Sequence, residues 1–284
     1  MQKICVIGYG DVGQRVARLW LRQHARVQAL VRRSEMAAQL DAQGLTSIVG
    51  DLDHPDSLLQ LPFDNAIVYY FAPPPAHGRV DTRMRNFIAT DSVPERVIYI
   101  STSGVYGDHA GAWVDEETPP TPCADRAYRR LDAETVLRGW GRARGVAINI
   151  LRVGGIYGPG RWPLARLRAG TPVLREEECG YTNRIHIDDL AKICVAAAMR
   201  GGKDRIYNVS DGSNGTMTEY FYAVADRFAL PRPPALSMAE ARLQLSPAML
   251  SYLTESRRMN NHRVLQELGV QLDYPQLAAG LAEI

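Results

Sequence analysis

Residues 3–16 constrain this chain more than any other stretch. Lys3-Ile4-Cys5-Val6-Ile7 is a short apolar run of strand type, Gly8-Tyr9-Gly10-Asp11-Val12-Gly13 follows at once, and Gln14 to Leu21 has helical spacing. Strand, glycine turn and helix in that order are the context in which G-x-G-x-x-G marks a dinucleotide site. Gly8 is expected to take the tight turn off the strand. Gly10, with no Cβ, lets a pyrophosphate approach the backbone, and Gly13 lets the helix pack close to the strand. Tyr9, Asp11 and Val12 complete the loop, and the helix N-terminus offers free N–H groups and a partial positive charge to phosphates.

Strand and helix patterns then alternate. Strands are expected over 25–31, 46–49, 65–71, 96–101 and 146–151, and helices over 35–42, 56–61, 79–90 and 125–142. Several strands are apolar throughout, which points to a parallel sheet covered on both faces. Right-handed crossovers make it doubly wound, with ligands at the C-terminal ends of its strands. The expected class is therefore α/β, a doubly wound parallel sheet, with a nucleotide-binding core over 1–155. Residues 156–284 are expected to be mixed: strands completing the sheet, then a small, mostly helical C-terminal substrate region. In it, 185–190 passes from strand into a helix over 190–199, with Asp188 or Asp189 as N-cap.

Composition narrows the function. The chain has 284 residues, 46% hydrophobic and 23% charged, with a formal charge of only +2. That gives no bulk field for nucleic acid or membrane, and neither is expected as a partner. Cys5, Cys123, Cys179 and Cys194 are far apart and form no metal-ligand spacing, so a reducing, cytoplasmic setting and no zinc or other metal site are expected. No run approaches ~18 uninterrupted apolar residues, and a core strand starting at residue 3 leaves no room for a leader.

Cofactor choice is read at the end of the second strand. An acid there holds the ribose hydroxyls of NAD. This chain has Arg32-Arg33-Ser34 instead. A guanidinium forks onto a 2′-phosphate, and a serine hydroxyl adds a donor, so NADP is expected, with NAD as the alternative. Asp51 and Leu52, after the third strand, are placed to touch the adenine, and Ala72, which follows the fourth strand and opens the Ala72-Pro73-Pro74-Pro75 loop, is expected at the cofactor.

Further stretches carry a resemblance: Gly50-Asp51-Leu52, Ser101-Thr102-Ser103-Gly104-Val105-Tyr106-Gly107, Leu151-Arg152, Ile156-Tyr157-Gly158-Pro159-Gly160, Ile185-His186-Ile187-Asp188-Asp189-Leu190 and Tyr207-Asn208-Val209. With the glycine turn, they make the chain resemble the short-chain dehydrogenase/reductase superfamily, in its extended or atypical branch of epimerase/dehydratase-like proteins. The resemblance implies a Rossmann sheet and a C-terminal substrate region. It also implies dimerisation through the helices over 79–90 and 125–142, and a catalytic set of a Ser/Thr hydroxyl with Tyr-x-x-x-Lys. The hydroxyl falls on Thr102. Counting back from Glu134 puts Arg130 at the lysine and Arg126 at the tyrosine position. Arginine cannot normally serve as acid/base, although Arg130 can hold the ribose or a phosphate as a fixed cation. Tyr128 is the nearest phenol, about 200° around the helix from the expected place. A second departure is Ile7, where extended members carry the first glycine of G-x-x-G-x-x-G.

Two functions stay open. One is an NADP-dependent oxidoreductase or epimerase acting on a small polar or nucleotide-sugar substrate, with Thr102 orienting the substrate oxygen and Tyr128 or water carrying the proton. The other is a catalytically silent NADP-binding sensor or regulator. Other candidates have competing structural readings. His186 with Asp188 suits a strand-to-helix junction, and Glu176-Glu177-Glu178 a solvated loop. Arg257 and Arg258 suit either an anionic substrate or the surface, and Tyr106 either ligand contact or packing.

Overall fold

Seven strands form one parallel sheet: β1 (Lys3–Ile7), β2 (Arg26–Val31), β3 (Thr46–Val49), β4 (Ile67–Tyr70), β5 (Arg96–Thr102), β6 (Ala147–Val153) and β7 (Arg205–Val209), in the order β7-β6-β5-β4-β1-β2-β3. The computed structural model describes residues 1–42, 44–59 and 61–283. From β1 the chain moves outward to β2 and β3, then returns to β4 on the other side of β1. The resulting switch point leaves a crevice at the C-terminal ends of β1 and β4, where open sheets of this kind bind ligands.

The central strands are apolar on both faces because both faces are covered. All four residues of β4 and all seven of β6 are buried. On one face lie α1 (Asp11–Leu21) and a helix over Ile187–Arg200; on the other lie α3 (Thr82–Ile88) and α4 (Asp125–Arg144). The second helix, α2 (Ser34–Asp41), packs beside β3. In α1 the buried residues Val12, Gly13, Val16, Ala17 and Trp20 make one stripe at helical spacing. Burying each large side chain of that stripe contributes about 1.5–3 kcal/mol. Trp20 also donates from Nε1 to the Tyr69 hydroxyl at 2.7 Å, so its one polar atom is not stranded in the core.

Several expected boundaries move for local reasons. The expected helix over 56–61 is a single 3₁₀ turn, Pro55–Leu58. That over 79–90 shortens to Thr82–Ile88, because the Asp81 side chain accepts the Met84 N–H and fixes the start. The helix expected from Leu190 begins at Ile187. Its N-cap is His186, whose Nδ1 accepts the Asp188 N–H, so neither Asp188 nor Asp189 caps it. Asp189 is buried and accepts the N–H groups of Asp273 and Tyr274, tying the last segment of the chain to the sheet layer. The loop over 107–123 holds a two-residue strand, Trp113–Val114, paired with Arg258–Met259.

Beyond residue 155 the chain passes through short strands, the helix Leu164–Arg168 and the helix Ile187–Arg200 before it returns to the sheet with β7. Short helices then follow, among them Met217–Arg227, Met238–Gln244, Pro247–Leu253 and His262–Leu268. This part has its own apolar cluster around Tyr157, Tyr220, Phe221 and Val224. All four cysteines are free. Among the described residues no cluster suits a metal ion, and no helix is long and apolar enough to cross a membrane.

Candidate functional site

Two cavities open at the C-terminal edge of the sheet, and the Pro73-Pro74 segment after β4 separates them. The first, of about 370 Å³, is lined by Gly8, Tyr9, Gly10, Arg32, Arg33, Asp51, Leu52 and Ala72, with Met36, Phe71, Pro73 and Arg83 among the rest. Gly8 has φ +93°, and a Cβ there would stand 2.5 Å from the Ala72 backbone nitrogen. A Cβ on Gly10 would meet nothing within 4 Å, so the space before it is free for a ligand. At Gly13 a Cβ would lie 2.7 Å from the Gly8 carbonyl oxygen, so this glycine serves helix–strand packing. Gly10 is also the N-cap of α1 and supplies no side-chain cap, which leaves the first-turn N–H groups to a ligand.

The remaining expected residues of this loop divide by role. The Val12 side chain is buried in the core. Asp11 is bound by Arg15 and Arg161, at 3.2 and 2.8 Å. Ser34 is the exposed first residue of α2 and does not line the cleft. Arg32 and Arg33 do line it, are exposed, and form no ion pair among the described residues. No carboxylate stands at the end of β2. The cleft contains one residue that sequence spacing gave no means of finding. Arg83 on α3 forks onto Asp53 at 2.8 and 2.6 Å and donates to the Pro73 carbonyl at 3.0 Å. Its hydrogen bond holds the Asp53 carboxyl below the usual range.

The second cavity, of about 380 Å³, is lined by Thr102, Ser103 and Gly104 after β5, and by Arg126 and Arg130 of α4. Gly154-Gly155, Tyr181, Asn183, Tyr252, Glu255 and Arg257 also face it. Thr102 Oγ1 accepts the Gly104 N–H at 3.2 Å, which leaves its own proton to be donated. Arg130 Nη1 donates to the Ile100 carbonyl at 2.8 Å and the Tyr99 hydroxyl at 3.3 Å. Burial pushes Tyr99 up to about 12, against the pull of Arg130. Burial also works against the Arg130 charge, but Tyr99 and Asp81 outweigh it and leave Arg130 above its ordinary value. Arg126 Nη1 donates to Ser251 Oγ at 2.6 Å, and its guanidinium stacks 3.7 Å over the Tyr252 ring.

A buried polar network sets the register of α4 against β5. Ser101 Oγ donates to Glu134 Oε1 at 2.5 Å, and Arg152 forks onto Glu134, with its closest contact at 2.7 Å. Arg126 and Arg130 stand two turns and one turn before Glu134 on the same side of α4. Tyr128 does not. It lies outside the cavity lining with Arg79 stacked 4.3 Å over its ring, because two residues turn it about 200° around α4.

Other candidates also resolve. Tyr106 is fully buried, stacked under Arg152 at 4.8 Å and donating to Asn208 Oδ1 at 2.7 Å. His186 is buried at its helix junction, and burial lowers its pKa. Glu176–Glu178 form an exposed 3₁₀ turn. Arg257 lines the second cavity, whereas Arg258 lies outside it, 5.1 Å from Trp113 and 4.9 Å from Tyr181.

The model of the family described as "NAD dependent epimerase/dehydratase family" matches residues 4–210. A curated relative, Protein YeeZ of Escherichia coli (strain K12), is 27% identical over 182 residues. That match spans 63% of this chain and 59% of the relative's length. The structure of a functionally unknown conserved protein from Silicibacter pomeroyi superposes with a TM-score of 0.83 at 29% identity, covering 99% of this chain and 97% of the other. DesIV, a dTDP-glucose 4,6-dehydratase from Streptomyces venezuelae solved as a double mutant with NAD bound, superposes with a TM-score of 0.79 at 19% identity, covering 99% and 95%, a likeness of fold alone.

Proposed function

This chain belongs to the NAD-dependent epimerase/dehydratase family, and on that premise we propose that it is an NADP-dependent oxidoreductase acting on a small polar substrate in the Thr102 cavity. The observation that carries the proposal is the pairing of the two cavities. One combines the glycine turn with Arg32 and Arg33, and the other, across Pro73-Pro74, contains a hydroxyl with a proton to donate.

The residues fit a dinucleotide. The open space at Gly10 and the uncapped start of α1 suit its phosphates, and Arg32 and Arg33, which form no ion pair among the described residues, suit a 2′-phosphate. Asp51 and Leu52 wall the adenine end. When bound, the dinucleotide supplies hydride chemistry to the second cavity. There Thr102 orients and polarises a substrate oxygen through its free proton. Arg130 is a fixed cation at the cavity wall, unable to exchange protons near neutral pH. Tyr128 is too far around α4 to carry the proton, so water entering the open cavity carries it.

The experiment is a titration of the chain with NADPH and NADH, repeated with Arg32→Asp and Arg33→Asp. Preference for NADPH in the parent and its reversal in the variants is expected. Equal affinity of the parent for both dinucleotides refutes the 2′-phosphate reading. The second reading is a catalytically silent NADP-binding sensor, favoured by the guanidinium groups of Arg126 at the expected acid/base tyrosine position and Arg130 at the expected lysine position. It predicts tight NADPH binding with no oxidation by any carbonyl substrate and no effect of Thr102→Ala on that binding.

A further inference from the structure

We infer that the Thr102 cavity is a carboxylate receptor, and that the substrate is a small organic acid whose anionic group is forked by Arg130 beside Thr102. The inference rests on reading this cavity as the substrate site.

Charge is the first observation. Three guanidinium groups, Arg126, Arg130 and Arg257, face the cavity against one carboxylate, Glu255. That carboxylate is spent, because Glu255 Oε2 accepts from Arg257 Nη1 at 2.8 Å. Neither Arg126 nor Arg130 forms an ion pair among the described residues. Asp81, outside the lining, favours the Arg130 charge, but the lining itself keeps an excess of positive charge that attracts an anion.

Donor geometry is the second. The Nη1 of Arg130 is used by Ile100 and Tyr99. Its Nε and Nη2 have no hydrogen-bond partner among the described residues, and Arg130 lines the cavity, so those two donors are available to a ligand. Elsewhere this chain shows what the same edge binds. Arg83, Arg138, Arg152, Arg205 and Arg232 each turn Nε and Nη2 onto one carboxylate: Asp53, Asp204, Glu134, Glu267 and Asp226. Two coplanar donors match two carboxylate oxygens. Arg257 adds a third observation: it is only 9% exposed and its Nε has no hydrogen-bond partner among the described residues.

The site replaces proton chemistry with anion recognition. The family resemblance leads one to expect an acid/base at the position of Arg126. This chain instead has cations there, so a substrate reaching Thr102 gains by carrying its charge close to the oxygen that Thr102 contacts. A 2-oxo or 2-hydroxy acid has that arrangement.

The test is calorimetric titration of the full chain, with and without NADPH, using pyruvate, 2-oxoglutarate and benzoylformate. Pyruvamide serves as the neutral isostere, and inorganic phosphate, pyrophosphate and uridine diphosphate are the phosphate arms. At least one acid is expected to bind tenfold or more tightly than the amide, as a charge-assisted fork requires. Arg130→Gln should remove that preference and Arg130→Lys should restore part of it. The acid–amide comparison is read on the unaltered chain, so it decides even if a variant fails to fold. Equal binding of acid and amide, an unchanged preference in a folded Arg130→Gln, or tighter binding of the phosphate arms overturns the inference. Titration without NADPH separates the two proposals: acid binding without dinucleotide binding sinks the proposed oxidoreductase and leaves the receptor standing.

Discussion

Replacing Glu134 with Gln should destabilise the chain by about 3–5 kcal/mol, even though the two side chains have nearly the same shape. The side chains of Arg152 and Glu134 are only 4% and 3% exposed, and their closest approach is 2.7 Å. At an effective dielectric of about 20, opposite unit charges at that distance attract by about 6 kcal/mol. Desolvation takes back several kcal/mol for each ion, so the intact pair is worth little net. Glu134→Gln removes the attraction but leaves the desolvation of Arg152, whose Nη1 already lacks a hydrogen-bond partner among the described residues. The melting temperature should fall by about 5–8 °C. The companion variants are Arg152→Met and the double substitution, followed by chemical denaturation. The double variant should recover most of the loss, giving a large coupling energy. A cost below about 1 kcal/mol for Glu134→Gln, or costs that simply add in the double variant, would refute the account of this pair. The same variants should loosen α4 against β5, so acid binding at Arg130 should weaken in Glu134→Gln before the chain unfolds.

Gly8→Ala should both destabilise the chain and weaken dinucleotide binding, because the added Cβ meets the Ala72 backbone at 2.5 Å in a left-handed conformation. Parallel melting curves and NADPH titration would check this, and an unaltered NADPH affinity would count against the turn. Burial raises Asp211 from 3.8 to about 6, and its Oδ2 has no hydrogen-bond partner among the described residues. The folded state therefore keeps a proton that the unfolded state releases, so stability should fall as pH rises from about 4 to 6 and then stay level. Asp211→Asn should be more stable than the parent at pH 7 and lose that advantage near pH 4 in pH-dependent denaturation. Among the thiols, exposed Cys123 should react with a thiol reagent in the native chain. Cys5, pushed up to about 12 by burial, and buried Cys194 should react only on unfolding.

The sequence by itself determined the sheet, the crevice and much of the lining of the cleft beside the glycine turn. Glycine spacing, apolar strand runs and the basic pair Arg32-Arg33 are local signals, and a local signal dictates local backbone and one side of a pocket. The same holds for Glu134 as the mark that sets the α4 register, which put Arg126 and Arg130 on the cavity wall and turned Tyr128 away. Tertiary structure decided what depends on residues far apart in the chain. Arg83 meets Asp53 30 positions away, and Arg257 meets the Gly107 carbonyl 150 positions away. His186 caps its helix, although two aspartates follow it, because its buried ring turns Nδ1 onto the Asp188 N–H. Above all, only the fold shows which arginine edges are already spent. Residue type fixes the charge that a side chain can bring, but three-dimensional packing decides whether a counter-ion has reached it. That difference separates Arg152, forked onto Glu134, from Arg130, whose Nε and Nη2 have no hydrogen-bond partner among the described residues.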